Sequence, residues 1–183
     1  MKKLKLDQLG RLSIGEFKTS KKIPVCILLD NVRSLHNVGS AFRTGDAFSV
    51  EKLVLTGITG TPPHREIEKT ALGATASVSW TYHENAGLAV AALKAEGWKI
   101  VVVEQTTESV QLQKLSTQPG DKLCLVFGNE INGVSDEVIG YADVAIEIPQ
   151  SGTKHSLNIS VCVGIVVWEI YRKISHGSHG SHG

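Results

Sequence analysis

The sequence predicts an α/β fold in which a mostly parallel sheet is covered by helices on both faces. Short apolar runs alternate along the chain with amphipathic or small-residue segments, an order that is typical of such domains. The runs VCILL, IVVV and LCLVF are apolar at every position, as expected for strands that are buried on both sides. In folds of this class, ligands bind beyond the carboxyl ends of the strands.

The alternation predicts five main strands and five helices. The strands are Val25–Asp30, Lys52–Thr56, Lys99–Glu104, Lys122–Phe127 and Val144–Ile148. The helices lie near Val38–Phe48, Arg65–Leu72, Asn85–Glu96, Asp136–Tyr141 and Leu157–Ile174. One further short strand is expected at residues 77–80, where the sequence reads Ser-Val-Ser-Trp.

The composition is that of an ordinary globular protein. Of the 183 residues, 42% are hydrophobic and 20% are charged, which disfavours a disordered chain. No apolar run reaches membrane-spanning length, so no membrane partner is expected. The N-terminus lacks the apolar core of a secretory signal, which predicts a cytoplasmic protein. The three cysteines lie in apolar runs without CxxC spacing and are interpreted as reduced thiols: Cys26, Cys124 and Cys162.

Charge divides the chain into an arm and a body. Residues 1–22 contain seven basic and two acidic groups, a net charge of +5, which leaves −4 for the rest of a chain whose total is +1. A basic arm suits a polyanion such as RNA, and a solvated, frayed terminus is the alternative. We therefore predict an arm at 1–22, one α/β domain at 23–174, and a disordered tail of Ser-His-Gly repeats at 175–183.

Polar side chains follow three of the apolar strands. Those that could bind a ligand are Asn37, Arg43, Glu130, Ser156 and Asn158. Each also has a purely structural interpretation: a helix N-cap at 37 with a surface residue at 43, a capping carboxylate at 130, and an ordinary helical first turn at 156–158. Backbone donors are unpaired at strand-to-helix corners, where small ligands tend to bind. Three such corners together favour an enzyme that binds a nucleoside-like cofactor.

Several familiar motifs are absent from the sequence. No two glycines are separated by a single residue, which excludes the GxGxxG loop of dinucleotide-binding domains. Gly128–Ser135 has the glycine spacing of a P-loop, but Val134 occupies the position of its phosphate-binding lysine. No Gly-x-Ser-x-Gly nucleophile elbow occurs. No metal is expected, because four histidines are too scattered for a zinc site: His36, His64, His83 and His155.

The three polar segments resemble the ordered motifs of the TrmH (SpoU) family, part of the SPOUT superfamily of RNA methyltransferases. The segments are Asn37-x-Gly39-x-x-x-Arg43, LVFGNEINGVS at 125–135 and IPQSGTKHSLNISV at 148–161. The resemblance extends from about Ile23 to Ile174. The link Gln150–His155 departs from the family pattern, because it is longer and more polar, whereas Ser-Leu-Asn at 156–158 is intact.

The resemblance implies transfer of a methyl group from S-adenosylmethionine to a ribose 2′-hydroxyl of tRNA or rRNA by a homodimer. It also implies a deep trefoil knot in the C-terminal part, which ordinary topology rules would not predict. It assigns catalytic roles to Asn37, Arg43, Glu130, Ser156 and Asn158. It places four residues in the cofactor pocket: Thr106, Gly128, Ile148 and Leu157.

Arg43 matches the catalytic arginine of the family. A guanidinium stays protonated in proteins and is a reluctant base, so a bidentate grip on the target phosphate, which then helps to accept the proton, is favoured. Arg172 and Lys173 could add phosphate contacts. RNA contacts are otherwise expected from the arm and from the loop at 60–65, through Lys2, Lys3, Lys5, Arg11, Lys18 and Arg65.

Two other functions remain open from the sequence. The chain could be a non-catalytic assembly factor that binds S-adenosylmethionine and RNA without turnover. It could instead be a nucleotide-binding α/β enzyme that acts on small molecules. Methylation of RNA by the wild-type protein would exclude the first, and tight mononucleotide binding without RNA binding would support the second.

Overall fold

The structure, a computed structural model, describes residues 1–177. Its strands are β1 (Ile23–Asp30), β2 (Val50–Thr56), β3 (Trp80–His83), β4 (Trp98–Val103), β5 (Val110–Gln111), β6 (Lys122–Phe127) and β7 (Val144–Glu147). Its α-helices are α1 (Ile14–Thr19), α2 (Leu35–Ala47), α3 (Arg65–Ala71), α4 (Ala74–Ser77), α5 (Ala86–Ala95), α6 (Asp136–Ile139) and α7 (Ile159–Gly177). Two short 3₁₀ helices occupy Leu6–Leu9 and Leu112–Lys114. Within residues 1–177, no helix combines the length and apolar content needed to cross a membrane.

All seven strands form one parallel sheet, in the order β3-β2-β1-β6-β4-β7-β5. The late strand β6 lies between the early strands β1 and β4, so Cys124 is in register with both Cys26 and Ile100. This order brings the carboxyl ends of β1, β4, β6 and β7 to one edge of the sheet. The predicted α/β class with a parallel sheet is confirmed.

The sheet is buried on both faces because the interiors of its central strands are apolar on both sides. In β1, Val25, Ile27 and Leu29 face the core beneath α2, α3, α4 and α7. The alternate residues Cys26 and Leu28 face the opposite core, which α5 and α6 cover. Each fully buried side chain of this size contributes about 1.5–3 kcal/mol, so the two cores hold the sheet edge rigidly in place.

Helix α7 is fixed over the sheet by packing and by one lysine. Val163, Val166, Val167 and Ile170 are buried in the core that this helix shares with α2. The ammonium of Lys173 donates hydrogen bonds to three main-chain oxygens of the segment after β5, at 3.2, 3.1 and 2.7 Å: Leu112, Gln113 and Leu115. These bonds fix the C-terminal part of α7 to the segment after β5.

The predicted arm at 1–22 contains ordered elements that the charge pattern did not reveal. Helix α1 begins with a capping box, in which Ser13 accepts from the amide of Glu16 and Glu16 accepts from the amide of Ser13. Phe17 is buried in the core, and the Lys22 ammonium donates to its carbonyl oxygen. The arm thus joins the amino edge of the sheet through a short packed helix.

Several element boundaries differ from the sequence predictions. The strand expected at 77–80 is wrong, because Ser77 ends α4 and donates its hydroxyl to Asp46 at 2.5 Å; the strand begins instead at Trp80. Neither α4 nor the two-residue strand β5 was predicted from the sequence. Of the tail predicted at 175–183, residues 175–177 belong to α7, and the remainder lies outside the described residues.

Candidate functional site

A cavity of about 320 Å³ opens at the carboxyl ends of β4, β6 and β7. Its walls are the residues that follow β4, the loop at 128–133, the loop at 148–157, and the first turn of α7. These segments include most of the second and third polar corners of the sequence. The carboxyl ends of parallel strands are where this fold class binds ligands.

The loop at 128–133 doubles back on itself tightly. The amide of Asn129 donates to the Gly133 carbonyl at 2.8 Å, and the amide of Gly133 returns a bond to Asn129 at 2.9 Å. A Cβ on Gly128 would lie 2.1 Å from the carbonyl carbon of Gly133 and from the amide nitrogen of Val134. Only glycine fits at Gly128, because any side chain would collide with the backbone of its own loop.

Two carboxylates hold the outer end of this loop. Glu104 accepts from the amide of Val134 at 3.0 Å, and Asp30, fully buried at the end of β1, accepts from the amide of Ser135 at 2.8 Å. Sequence reasoning identified neither residue as part of the site. The available signal was their position as the only acidic residues that directly end apolar runs on β1 and β4.

Glu130 bonds to a helix that is remote in sequence. Its carboxylate accepts from the amides of Arg33 and Ser34, both at 2.9 Å, and from the side-chain amide of Asn37 at 3.2 Å. It therefore binds the segment that leads into α2, whereas the structural interpretation of the sequence placed it beside the next helix. Desolvation acts to raise the pKa of Glu130, but the hydrogen bonds from Arg33, Ser34 and Asn37 outweigh it and lower the pKa below its ordinary value.

Asn37 lies inside α2, at its third residue. The N-cap is Ser34, whose hydroxyl accepts from the Asn37 amide at 3.3 Å, so the prediction of Asn37 as the start of the helix is wrong. The side chain of Asn37 is buried and reaches Glu130. The first and second motifs are thus joined by a direct contact beside the cavity.

Arg43 lies two turns into α2 on an exposed surface. Within residues 1–177, its guanidinium makes no hydrogen bond and no ion pair, and it does not line the cavity. All five of its N–H donors are therefore available to a ligand outside the described chain.

The third motif ends at the first turn of α7. Asn158 is the residue before this helix, and its side-chain oxygen accepts from the amide of Ser160 at 2.8 Å and from its hydroxyl at 2.6 Å. Ser156 is exposed and lines the cavity, without a hydrogen bond inside the described part of the chain. The side chain of Gln105 donates to the carbonyl of His155 at 3.2 Å, which ties this loop to the end of β4.

The predicted cofactor residues divide into two groups. Gly128, Ile148 and Leu157 line the cavity. Thr106 lies one residue beyond the lining residue Gln105, and its hydroxyl accepts from the amide of Glu108 at 3.3 Å. The resemblance therefore located three wall residues, whereas Gln105, which touches the cavity, was not singled out.

The chemistry of the lining fits S-adenosylmethionine. Apolar side chains that could hold an adenine ring line one part of the cavity: Val103, Phe127, Ile146, Ile148 and Leu157. Glu104, Glu130 and Glu147 line it as well, and among residues 1–177 no lysine or arginine does so. A volume near 320 Å³ is within the usual range for small-molecule sites, and an acidic lining suits a sulfonium cation. The described residues contain no group of three histidine, cysteine or acidic side chains arranged to hold a metal ion.

The residues of the arm and of the loop at 60–65 that were predicted to contact RNA are all exposed, but they lie on separate elements. Lys2, Lys3 and Lys5 precede the first 3₁₀ helix, and Arg65 begins α3. The arm enters at the amino end of the eight-residue strand β1, roughly 25 Å from the edge that carries the cavity. Lys173 is committed to carbonyl oxygens, and Arg172 is paired with Glu169 at 2.9 Å, so neither is a free phosphate ligand.

The fold and cavity define an α/β protein with a small-molecule site at the carboxyl edge of a parallel sheet. Residues 24–168 match the SpoU rRNA Methylase family, and the chain belongs to that family. The match covers nearly all of the sheet, the cavity and the first half of α7.

Characterised relatives include tRNA and rRNA methyltransferases. The chain is 35% identical to the tRNA (guanosine(18)-2′-O)-methyltransferase of Aquifex aeolicus, over 87% of this chain and 74% of the relative. It is 29% identical to the Escherichia coli enzyme of the same name, over 87% and 68%. Against the 23S rRNA (guanosine-2′-O-)-methyltransferase RlmB of Vibrio parahaemolyticus the identity is also 29%, over 91% and 66%.

Solved structures of similar proteins have the same fold. The A. aeolicus TrmH/SpoU tRNA modifying enzyme superposes with a TM-score of 0.80 at 29% identity, over 90% of this chain and 82% of that one. The AdoMet-bound rRNA methyltransferase of Sinorhizobium meliloti superposes with a TM-score of 0.78 at 26% identity, over 84% and 58%. The second of these carries the cofactor that the chemistry of the cavity lining fits.

Proposed function

We propose that this protein transfers a methyl group from S-adenosylmethionine to a ribose 2′-hydroxyl of tRNA or rRNA. The observation that carries the proposal is the contact between Asn37 and Glu130, 93 residues apart, beside a cavity lined by the second and third motifs. Family membership and the 2′-O-methyltransferases among the relatives support the same chemistry.

When bound, the cofactor supplies a methyl group that is already activated by its sulfonium. The protein must therefore align a ribose hydroxyl with that methyl and help to remove the hydroxyl proton. Alignment alone can lower the barrier by on the order of 7–11 kcal/mol. Ser156 presents at the cavity a hydroxyl without a hydrogen-bond partner among residues 1–177, and Asn37 and Glu130 form the rim on the side of α2. We assign to Ser156, Asn158, Asn37 and Glu130 the placement of the ribose.

Arg43 grips the phosphate next to the target ribose in this proposal. Its guanidinium is exposed and, within residues 1–177, has no competing partner. A planar guanidinium binds phosphate through two parallel hydrogen bonds, whereas it holds its own proton too tightly to act as a good base. The phosphate so held accepts the hydroxyl proton.

Methyl transfer to unmodified RNA tests the proposal. Tritiated S-adenosylmethionine is incubated with tRNA and, separately, with rRNA from a strain that lacks the gene. We expect label in one pool, resistant to alkaline hydrolysis at the modified linkage and lost with Arg43→Ala. Cofactor binding without label in either pool would support the non-catalytic assembly factor instead. Label in one pool also distinguishes tRNA from rRNA.

A homodimer is part of the proposal. Val161, Ile165 and Trp168 recur on one stripe of α7, and they are 47%, 38% and 53% exposed. The spacing of four and three residues places them on one face, and the stripe runs from the cavity end of the helix. A second copy of the chain would cover it and bring another surface to the cavity. Sedimentation equilibrium should give twice the chain mass for the wild type and a monomer for Trp168→Glu.

The C-terminal trefoil knot is also part of the proposal. It is supported by the insertion of β6 between β1 and β4, and by the anchoring of α7 to residues 112–115 through Lys173. Such a path would hold the loops at 128–133 and 148–157 against one another.

Contacts with RNA are the last part of the proposal. The predicted arm at 1–22 and Arg65 would supply salt-dependent phosphate contacts. Removal of residues 1–12 should weaken RNA binding while leaving cofactor binding unchanged.

A further inference from the structure

The cavity carries an excess of negative charge that no residue of the described chain neutralises. Glu104, Glu130 and Glu147 line it, and within residues 1–177 none of them pairs with a lysine or arginine. All three also accept hydrogen bonds from the chain itself. Glu130 accepts from the amides of Arg33 and Ser34, just before α2, and Glu147 accepts from the hydroxyl of Ser109 at 3.1 Å.

Glu104 differs from the other two in how it is held. One of its oxygens accepts from the amide of Gln105 at 2.9 Å, and the other accepts from the amide of Val134 at 3.0 Å. These two amides belong to different segments beside the cavity. A Cβ on Gly133 would lie 2.1 Å from a Glu104 oxygen, so the loop presses directly on the carboxylate. The charge is therefore fixed in position, and two neutral N–H donors do not cancel it.

We infer that Glu104 is a specificity-determining residue that makes the cavity prefer a sulfonium cofactor over its neutral thioether product. Methyl transfer forms a bond from the ribose oxygen to the methyl carbon and breaks the bond from sulfur to that carbon. The electron pair stays on sulfur, and the hydroxyl proton passes to the acceptor that Arg43 holds. The positive charge of the bound molecule at sulfur is lost in this step. A fixed carboxylate in the cavity stabilises the charged reactant and not the product, which favours release of the product.

The inference rests on the proposed cofactor, and it deepens that proposal by naming the group that distinguishes reactant from product. Apolar contacts from the side chains around Ile148 and Leu157 are the same for both molecules, because the adenosine part does not change. The two molecules differ at the sulfur, in its charge and in the methyl group that is transferred, and a carboxylate responds to the charge. The end of β4 supplies it at a position that the family resemblance did not single out.

Isothermal titration calorimetry with three ligands tests the inference. They are S-adenosylmethionine, S-adenosylhomocysteine, and sinefungin, whose amine is a cation in place of the sulfonium. For Glu104→Gln we expect the two cationic ligands to bind on the order of tenfold more weakly, with S-adenosylhomocysteine changed by less than about twofold. The matched control is Glu108→Gln, which removes the same charge from an exposed residue outside the lining and should leave all three affinities unchanged.

The alternatives give different results. Equal weakening of all three ligands by Glu104→Gln would overturn the inference and leave Glu104 only as a support for the loop. An effect of the same size from Glu108→Gln would also overturn it. If Glu104→Gln does not fold, Glu104→Asp keeps the charge and must keep the wild-type ratio of the two affinities; loss of that ratio would contradict the inference. A wild-type protein that binds none of the ligands would instead contradict the proposed function.

Discussion

Asn37 and Asn158 both belong to motifs that the family resemblance marks as catalytic. Asn37 is the third residue of α2, and Asn158 immediately precedes α7. In the structure, Asn158 caps α7, whereas Ser34 caps α2 and leaves the Asn37 side chain free to reach Glu130. The position of an asparagine relative to the helix start therefore decides whether its side-chain amide caps the helix or bonds to another part of the site. At the first corner, Ser34 caps the helix and Asn37 bonds to Glu130. At the third corner, Asn158 caps the helix and is also proposed to place the ribose.

The largest expected effect concerns the exposed end of the first corner. Arg43→Lys keeps the charge but loses the planar pair of donors, so kcat/KM for RNA should fall on the order of 100-fold. Cofactor affinity should not change, because Arg43 does not line the cavity. Single-turnover methylation with the purified variant measures the first quantity and calorimetry the second. Near-normal turnover would defeat the bidentate contact.

The second-largest expected effect concerns Gly128, in the loop at 128–133 that forms one wall of the cavity. In Gly128→Ala the new methyl would collide with the backbone at Gly133, so the free energy of unfolding should fall by about 1–3 kcal/mol. Cofactor affinity should fall on the order of tenfold or more, because the loop must shift. Gly152→Ala is the matched control, since nothing lies within 4 Å of its added methyl. Equal effects of both substitutions in urea titrations and calorimetry would rule out the collision.

The double role of Asn158 can be divided by substitution. Asn158→Ala should lower the free energy of unfolding by about 1 kcal/mol through loss of the cap on α7, as Ser34→Ala should for α2. Asn158→Ser restores a capping oxygen and therefore the stability, but not the methylation rate, if the amide also places the ribose. Thermal unfolding and single-turnover rates measured on the same samples check this. Full recovery of both by Asn158→Ser would reduce Asn158 to a cap.

The smallest expected effect is a pH-dependent contribution of Glu130 to the free energy of unfolding. Because its folded-state pKa lies below the ordinary value of 4.5, its contribution to stability is present above about pH 4.5 and is lost as the pH falls through the folded pKa. Glu130 is exposed, so Glu130→Gln should cost only about 0.5–1 kcal/mol at pH 7. The difference between variant and wild type in urea titrations should shrink below pH 4.5. A difference that grows towards acid pH would have the wrong sign.

Much of the fold could be predicted because the central strands carry their burial in the sequence. The run LCLVF at 123–127, for example, is apolar on both faces of the strand and is buried along its whole length. The order of the strands could not be predicted, because an apolar run does not indicate which strands it pairs with. The sequence therefore did not show that β6 lies between β1 and β4. The strand β3 was missed at its true position because three of its four residues are exposed and its pattern is weak.

The site was predictable where a motif fixes a backbone shape and less so where distant segments meet. Gly128 and Leu157, which the resemblance assigns to a cofactor pocket, line the cavity. The partner of Glu130 could not be found from the sequence, because α2 is almost 100 residues away along the chain. The same is true of Glu104, whose contact with Val134 depends on the neighbouring positions of β4 and β6.

Identification of the methylated atom tests the central claim most directly. RNA treated with the enzyme and S-adenosylmethionine is digested to nucleosides and separated by liquid chromatography with mass spectrometry. We expect a single 2′-O-methylated nucleoside, with the added mass on the ribose fragment, and none from the Arg43→Ala protein. A methyl group on the base fragment, or no methylated nucleoside from either tRNA or rRNA, would contradict the proposed function.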